Sequence, residues 1–271
     1  LQGPCQRFGI DVTFVDGTRP GAIASAVEPG RTTLVLAETP SNPRLELCDL
    51  DEIGSIMGPF TVVDSTFATP LGQQPLAHGV DLVVHSATKG IAGHNDATIG
   101  VVAGERELID ALWGYGVLHG AMASPYDAVN ALRGIRTLGV RTAHQAATAL
   151  RLAEWLHQHP AVSAVHYPGL TCHPQHDLAK RQMGQFGTVL AFDLAGGRDA
   201  AKRFIDGVEL ARAATSLGGP ETLVCHPMTT THASLTAAEQ AECGVTAGLI
   251  RLTVGLEDAD DLIADLTTAI G

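Results

Sequence analysis

Residues Asp81–Asp96 read DLVVHSATKGIAGHND, an apolar strand that ends in Ser86-Ala87-Thr88-Lys89 and continues into a loop of glycine and histidine. A lysine at the end of a buried strand is costly, because a desolvated ammonium must be neutralised, paired or chemically engaged. Desolvation also lowers the pKa of the amine, which makes Lys89 a candidate imine former. The hydroxyls of Ser86 and Thr88 suit an anionic group beside it. The alternative is an ordinary surface lysine at a strand end.

Short apolar, β-branched segments around this stretch predict further strands. They are Thr32–Ala37, Phe60–Asp64 and Thr98–Ala103, beside the strand Asp81–His85 itself. A helix with Asp49 as its N-cap is predicted over Asp49–Met57, and such alternation favours βαβ units with a largely parallel sheet. Because chemistry in these sheets gathers at the carboxyl ends of the strands, Asp64 and Lys89 are expected to share a site.

The second half of the chain mixes helices with strands. The predicted helices are Glu105–Trp113, Ser124–Arg136, Arg141–Gln158, His176–Met183, Arg198–Ile205 and Ala259–Ile270, and the predicted strands are Val162–His166, Thr188–Leu194 and Leu249–Val254. The pattern therefore predicts an α/β protein with a boundary near residue 137. Residues 1–137 would form a large domain whose mostly parallel sheet lies between helices, and residues 138–271 a smaller C-terminal α+β domain.

Composition narrows the class of protein. The 271 residues are 45% apolar and 4% aromatic, as in compact α/β proteins. The formal net charge of -12 argues against nucleic acid or an anionic membrane surface as the main partner. No apolar run approaches the roughly 20 residues that cross a bilayer. Five cysteines without a CxxC pair indicate free thiols in a reducing cytoplasm.

Two further strand ends carry groups that an imine cofactor would use. Asp64 follows three apolar or β-branched residues, and a protonated pyridine nitrogen would be a suitable partner for its carboxylate. An aspartate before Ser-Thr also caps turns, which is the alternative for Asp64. Asn42 lies between two prolines in Glu38–Pro43, where its amide can bind a phenolic oxygen or a substrate carboxylate, or lie in an ordinary turn.

Two features of the C-terminal part suit a carboxylate ligand. Arg251 is flanked by apolar residues in Leu249–Val254, and its guanidinium can hold either an internal Asp or Glu or a substrate carboxylate. Ser216-Leu217-Gly218-Gly219 is a flexible turn whose backbone donors can approach a ligand. Cys172-His173-Pro174-Gln175-His176 offers three metal ligands at cramped spacing without a fourth, so no metal site is predicted.

Eight ordered segments point to a known family. They are GIDVTFVD (9–16), ETPSNP (38–43), VVDSTFATP (62–70), DLVVHSATKGIAGHND (81–96), HPQH (173–176), SLGGPET (216–222), THASL (231–235) and GLIRLTVGLED (248–258). With these motifs the chain resembles the γ-family of pyridoxal-phosphate enzymes of cysteine and methionine metabolism. That family includes cystathionine γ-synthase and lyases, methionine γ-lyase and O-acylhomoserine sulfhydrylases.

The resemblance implies a fold type I PLP-dependent transferase with pyridoxal 5'-phosphate as cofactor. It also implies roles for seven residues: Lys89 as the imine former and proton carrier, Asp64 at the pyridine nitrogen, Ser86 and Thr88 at the phosphate, Asn42 near the ring hydroxyl and the substrate, and Ser216 and Arg251 at the substrate. An amino-acid substrate and a cytoplasmic homodimer or homotetramer are expected on the same basis.

Members of the family carry a long N-terminal segment before the position at which this sequence begins. In them it supplies a Tyr-x-Arg arm to the neighbouring subunit's phosphate, a glycine-containing phosphate loop and a tyrosine that stacks on the ring. We expect this segment to be omitted from the sequence rather than lost from the protein; if it is truly absent, we expect weak cofactor binding and little activity.

The residue before the Ser-Leu-Gly-Gly turn bears on the substrate. Relatives that handle cystathionine tend to place a glutamate there, whereas this chain has Thr215. A neutral pocket suits methionine better than cystathionine. We therefore expect γ-elimination on L-methionine, with an O-acylhomoserine sulfhydrylase, a cystathionine γ-synthase or a cystathionine γ-lyase as alternatives. An inactive subunit that retains the fold is the alternative from another class.

Overall fold

The computed structural model describes residues 2–271, which fold around two β-sheets. The strands are β1 (Leu34–Glu38), β2 (Phe60–Asp64), β3 (Leu82–Ser86), β4 (Gly100–Gly104), β5 (Val162–His166), β6 (Val189–Leu194), β7 (Arg212–Ala213), β8 (Leu223–Cys225) and β9 (Leu249–Thr253). The helices are α1 (Gln2–Arg7), α2 (Ala22–Ala26), α3 (Leu50–Gly54), α4 (Thr69–Gly72), α5 (Arg106–His119), α6 (Pro125–Ile135), α7 (Leu138–Gln158), α8 (His176–Gln182), α9 (Gly197–Gly207), α10 (Ala237–Glu242) and α11 (Ala259–Ile270). Short 3₁₀ turns occupy Pro75–His78 and Pro227–Thr229.

The first sheet has the order β1-β2-β3-β4 and is mostly parallel, as predicted. Strands β1, β2 and β3 are parallel, and β4 is antiparallel to β3. The register pairs Glu38 with Asp64 and Asp64 with Val84, so the carboxyl ends of the three parallel strands meet at one edge. That edge carries the predicted site.

Apolar side chains of α2 and α3 cover one face of this sheet. Ile23, Leu50 and Ile53 pack with Val63 of β2 in one buried cluster. Asp49 caps α3 by accepting the backbone N–H groups of residues 51 and 52, which confirms the predicted N-cap. The helix ends at Gly54 rather than Met57.

The second sheet has the order β5-β6-β9-β8-β7 and is antiparallel except for the β7–β8 pair. All six residues of β6 are buried, because α7, α9 and α11 cover one of its faces and other apolar residues, including Leu45 and Phe67, cover the other. Phe192 of β6 and Phe204 of α9 meet edge to face at 5.5 Å between ring centroids. Leu152 of α7 and Leu266 of α11 belong to the same buried cluster. This is the core of the C-terminal part.

The segment between α9 and β9, for which no helix or strand is predicted, has secondary structure of its own. It contains β7, β8, a 3₁₀ turn and α10. A capping box formed by Thr236 and Glu239 stabilises the N-terminus of α10. Strands of two and three residues are too short to show a periodic pattern, so the sequence does not reveal them. Helix α7 begins at Leu138 rather than Arg141, and α5 continues to His119 rather than Trp113.

Helix α7 contacts both parts of the chain. Its apolar face, including Ala149 and Leu156, packs in the core of the second sheet. Near its N-terminal end, Arg141 donates hydrogen bonds to the carbonyl oxygens of Gly90 and Ile91. The division into residues 1–137 and 138–271 stays a prediction. Of the helices within residues 2–271, none combines the length and the apolar character needed to cross a bilayer.

Candidate active site

Thr66 joins the ends of β2 and β3. Its hydroxyl donates to Asp64 Oδ1 at 2.6 Å and accepts the backbone N–H of Ser86 at 2.8 Å. The backbone N–H of Thr66 also donates to Asp64 Oδ1. Asp64 Oδ2 has no hydrogen-bond donor among the described residues, so one oxygen of the carboxylate stays available for a ligand. Sequence analysis missed Thr66, although its place in VVDSTF put it within two residues of Asp64.

Lys89 lies in the turn that follows β3, and its amine reaches the second half of the chain. Its Nζ donates to Ser216 Oγ at 3.1 Å. Partial burial, followed by the charge of Arg251, lowers the pKa of Lys89 below the 10.5 of an ordinary lysine. A larger fraction of its amine is therefore neutral and nucleophilic near neutral pH.

The other two lysines of the sequence, Lys180 and Lys202, are exposed. Lys202 donates a hydrogen bond to Asp206, which raises its pKa. Lys89 is thus the lysine whose surroundings favour imine formation.

Arg251 lies in the centre of the second sheet and is 2% exposed. Its Nη1 donates to Asn42 Oδ1 at 3.0 Å, and its Nη2 donates to the carbonyl oxygens of Ser216 at 3.2 Å and of Thr215. Burial lowers the pKa of this guanidinium. No carboxylate among residues 2–271 forms an ion pair with it, and its buried Nε has no partner there. A cation held by neutral acceptors suits a carboxylate ligand.

A hydrogen bond from its backbone N–H fixes the position of Asn42. Its N–H donates to Glu38 Oε1 at 2.8 Å, at the end of β1. Glu38 was not among the predicted site residues, although the motif ETPSNP contains it. Six of the seven predicted site residues thus form two hydrogen-bonded groups: Lys89–Ser216–Arg251–Asn42, and Asp64 with Ser86 through Thr66.

The two hydroxyls predicted to bind phosphate differ in their availability. Thr88 Oγ1 accepts the N–H of Ile99 at 2.8 Å and donates weakly to the Ile99 carbonyl oxygen at 3.3 Å. The hydroxyl of Ser86 makes no hydrogen bond within the described part of the chain. The Ser86 hydroxyl is therefore free to bind an anion. The Thr88 hydroxyl would have to replace its hydrogen bonds to Ile99 in order to bind one.

A cavity of about 770 Å³ adjoins these residues. Thr88 and Ser216 line it together with Glu209, Arg212 and Glu221. Its volume lies in the range typical of small-molecule sites. Asp64 and Lys89 do not line this cavity. The cavity therefore lies beside the predicted site and does not enclose it. The available oxygen of Asp64, the nucleophilic Lys89 and the free hydroxyl of Ser86 together fit an anionic pyridine cofactor that carries an aldehyde.

The Cys172–His176 loop joins the two parts of the chain. Gln175 exchanges two hydrogen bonds with the backbone of Leu47, at 2.8 and 2.6 Å. His176 Nδ1 lies 2.9 Å from the Pro168 carbonyl oxygen, and His173 Nδ1 accepts the N–H of Gln175. Among the residues that the structure describes, no group of three or more His, Cys, Asp or Glu side chains could hold a metal ion.

We expect protein stability to fall between pH 6.5 and pH 4 because of His173. Burial, with the nearby His166, His176 and Arg44, lowers the pKa of His173 from 6.5 to about 4. In this window the unfolded chain binds a proton that the folded chain does not, so the free energy of unfolding decreases by at most about 3 kcal/mol as the pH falls. Urea unfolding of wild type and His173→Gln at both pH values measures the difference. An equal decrease in both proteins would contradict the expectation, and the exposed His144→Gln is the control.

The family assignment follows from the whole length of the chain. Residues 1–271 match the model of the family described as Cys/Met metabolism PLP-dependent enzyme. The chain belongs to this family. Its members use pyridoxal 5'-phosphate, so this PLP-dependent enzyme takes the cofactor that the resemblance implied.

Named relatives in the family agree with this assignment. The L-methionine gamma-lyase of Treponema denticola is 43% identical over 271 residues, covering 97% of this chain and 67% of the relative. The O-succinylhomoserine sulfhydrylase of Pseudomonas aeruginosa is 44% identical over 268 residues, covering 98% and 66%. The crystal structure of cystathionine gamma synthase from Xanthomonas oryzae pv. oryzae in complex with aminoacrylate and cysteine has a TM-score of 0.94 at 41% identity, covering 99% and 70%.

These comparisons confirm the predicted family, the predicted fold class and an enzyme that uses PLP. This PLP-dependent chain spans about two thirds of the length of the curated relatives that it matches. The roles of its individual site residues stay predictions.

Proposed function

We propose that the protein is a PLP-dependent carbon–sulfur lyase that catalyses γ-elimination on L-methionine, giving 2-oxobutanoate, methanethiol and ammonia. The observation that carries the proposal is the position of Ser216 between two functional groups. Its Oγ accepts from Lys89 Nζ, and its carbonyl oxygen accepts from Arg251. The amine that would exchange protons and the guanidinium that would hold the substrate carboxylate therefore meet at one residue.

When bound, pyridoxal 5'-phosphate supplies an electron sink for negative charge that develops beside the substrate Cα. Lys89 would hold the cofactor covalently, and the free oxygen of Asp64 would keep the pyridine nitrogen protonated. Ser86 and Thr88 would bind the phosphate, and Asn42 would donate to the ring hydroxyl.

The residues on the substrate side would orient the amino acid for proton transfer. Arg251 and Asn42 would fix its carboxylate, which leaves the Cα–H directed toward Lys89. As the neutral amine, Lys89 Nζ would accept the Cα proton and give it up again before accepting a Cβ proton, which it would then pass to the departing sulfur. The lowered pKa of Lys89 favours the neutral base that both transfers require. Loss of the sulfur leaving group from Cγ follows from the second transfer.

The neighbours of Ser216 support an uncharged substrate side chain. Ala213, Ala214 and Thr215 precede it, and the two alanines line the cavity. The position directly before Ser216 therefore offers no carboxylate to the distal amino group of cystathionine, which favours methionine. The name of the Treponema denticola relative, L-methionine gamma-lyase, supports the same choice.

Arg212 supports a second candidate function, γ-replacement on an O-acylhomoserine. Its side chain is exposed at the cavity wall, and within residues 2–271 it forms no ion pair. A free guanidinium there could bind the carboxylate of a succinyl group. The Pseudomonas aeruginosa relative is named as an O-succinylhomoserine sulfhydrylase. Cystathionine γ-synthase and γ-lyase activities stay as further alternatives, and the relatives give no support to an inactive subunit.

A parallel assay distinguishes these functions. The holoenzyme is offered methionine, cystathionine, and O-succinylhomoserine with a thiol, and the products are identified by mass spectrometry. We expect 2-oxobutanoate and methanethiol from methionine at the highest kcat/KM. Turnover of cystathionine or of O-succinylhomoserine with none of methionine would refute the proposal. An Arg212→Met variant that loses only the acylhomoserine reaction would assign that second activity to Arg212.

We propose further that the enzyme acts as a homodimer or homotetramer in the cytoplasm. Apolar side chains of α5 and its surroundings support self-association, since Trp113 and Leu118 are 61% and 84% exposed. All five cysteines are free thiols, in keeping with a reducing compartment. Light scattering of the purified protein gives its mass, and a monomer at micromolar concentration would contradict self-association.

A further inference from the structure

One face of helix α7 carries two buried polar side chains that bind backbone on both sides of the candidate site. Arg141 and Gln145 are four residues apart, so they lie one above the other on the helix. Arg141 is 6% exposed and Gln145 is 1% exposed. Burying such groups is costly unless all their donors are satisfied, and here backbone carbonyl oxygens accept from both.

Arg141 holds the turn that carries Lys89. Its Nη1 donates to the Gly90 carbonyl oxygen at 2.9 Å, and its Nη2 donates to that of Ile91 at 3.3 Å. Its Nη2 and Nε also bind α6 and the start of α7, through the Gly134 carbonyl oxygen and Thr137 Oγ1. Within the described residues no carboxylate pairs with Arg141. The guanidinium donates only to backbone carbonyl oxygens and one hydroxyl. Two of these carbonyl oxygens belong to the residues that directly follow Lys89.

Gln145 holds the opposite side of the site. Its Nε2 donates to the carbonyl oxygens of Gly219 and Val254, both at 2.9 Å. Gly219 ends the turn that begins at Ser216, and Val254 directly follows the strand that carries Arg251. One amide group therefore ties the turn to the end of β9.

The two turns touch each other directly. A Cβ atom on Gly218 would overlap the backbone N of Gly90 and would lie 2.9 Å from the carbonyl carbon of Lys89. Gly218 also has a φ of 78°, which favours glycine. A Cβ atom on Gly93 would overlap the guanidinium of Arg141. The two turns and α7 therefore leave no space for a side chain at Gly218 or Gly93, close to the Lys89–Ser216 contact.

We propose that Arg141 and Gln145 are positioning residues that set the geometry between Lys89 Nζ and Ser216 Oγ. The inference rests on the proposed function of Lys89 as the group that binds the cofactor and moves protons. Among the described residues, neither Arg141 nor Gln145 forms a hydrogen bond with the side chain of a predicted cofactor-binding or substrate-binding residue. Each acts through the backbone of the turn that it holds.

The main test compares Arg141→Met with Arg151→Met in the holoenzyme. Arg151 lies on the same helix but forms an exposed ion pair with Asp260, so it is a matched control. We expect Arg141→Met to lower kcat about 100-fold, the effect typical of misplacing a reacting group by about 1 Å. KM should change less than about threefold, because Arg251 and Asn42 keep their contacts. Gln145→Leu should raise KM as well, because it releases the turn and the end of β9.

A second readout does not depend on turnover. Hydrogen exchange of the cofactor-free protein, followed on peptides that contain residues 86–93, should be at least about tenfold faster in Arg141→Met than in wild type. Gln145→Leu should accelerate peptides that contain residues 214–221 instead. Arg141→Lys, which keeps the charge but not the fork, serves the same comparison if Arg141→Met does not fold.

Loss of kcat with unchanged KM, together with faster exchange confined to residues 86–93, would support the inference. A folded Arg141 variant with wild-type kcat, or with unchanged exchange in that segment, would overturn it. Failure of the proposed function has a different signature, since wild-type holoenzyme would then not release methanethiol from methionine. The exchange measurement still decides whether α7 holds the two turns.

Discussion

A Lys89→Ala variant of the holoenzyme is expected to lose the visible absorption band of the bound cofactor and about 10²–10⁴-fold in kcat. Lys89 is the amine that we propose to bind pyridoxal 5'-phosphate and to exchange the Cα and Cβ protons. Its Nζ has the hydroxyl of Ser216 as its hydrogen-bond partner. Removing the side chain therefore leaves no other amine at the site, while the half-buried position costs the fold little.

The measurement pairs absorption spectra with rates for Lys89→Ala and Lys202→Ala. Lys202 is exposed and hydrogen-bonded to Asp206, so its loss is expected to change neither quantity. Circular dichroism checks that both variants fold. A Lys89→Ala protein that is folded, retains the band and turns over methionine at the wild-type rate would refute the proposed role of Lys89.

An Arg251→Lys variant is expected to lower kcat/KM by about 10²–10³-fold, mainly through KM. The guanidinium of Arg251 bridges Asn42 Oδ1 and the carbonyl oxygens of Thr215 and Ser216. An ammonium keeps the charge but cannot offer parallel donors to a carboxylate while it holds these acceptors. The substrate carboxylate would lose a bidentate partner, and the amide of Asn42 would lose its fixed orientation.

Steady-state kinetics with methionine test this expectation, with the exposed Arg181→Lys as the matched control. A decarboxylated substrate analogue, 3-(methylthio)propylamine, adds a second criterion. If Arg251 binds the carboxylate, the variant should bind this analogue as well as wild type does in a competition assay. A variant whose KM for methionine matches that of wild type would contradict the proposed role.

The sequence was sufficient to predict the parallel strands of the first sheet and the residues at their ends. Strands β1, β2 and β3 are continuous apolar segments bounded by turns, and the polar residues that follow them are conspicuous for that reason. Because the ends of parallel strands meet at one edge, the fold class predicts a shared site for Asp64 and Lys89. The structure links Asp64 through Thr66 to Ser86, three residues before Lys89. Lys89 stood out because a lysine beside a buried strand needs a partner.

The partners themselves lie far away along the chain. Lys89 and Ser216 are separated by 127 residues, and Asn42 and Arg251 by 209. No local pattern encodes such pairs, which depend on how segments of the first half of the chain, such as Leu45 and Phe67, pack on the second sheet. The family resemblance brought Ser216 and Arg251 to the same site, whereas composition and spacing left their partners open.

Residues that act through backbone were the ones that sequence analysis missed. Arg141 was interpreted as the first residue of an amphipathic helix, and Thr66 as part of a turn. Thr66 accepts the N–H of Ser86, and Arg141 donates to the carbonyl oxygens of Gly90 and Ile91. Nothing in the side-chain type of either residue indicates these main-chain partners. Strand β7, with two residues, was missed because its pairing with β8 rather than its sequence defines it.

We propose that Lys89 binds the cofactor covalently. The intact protein is incubated with pyridoxal 5'-phosphate, reduced with borohydride, digested and analysed by peptide mass spectrometry. We expect one pyridoxyl group per chain, on Lys89, with Lys180 and Lys202 unmodified. Stoichiometric labelling of a lysine other than Lys89, or an unlabelled Lys89 in protein that carries the visible cofactor band, would contradict it.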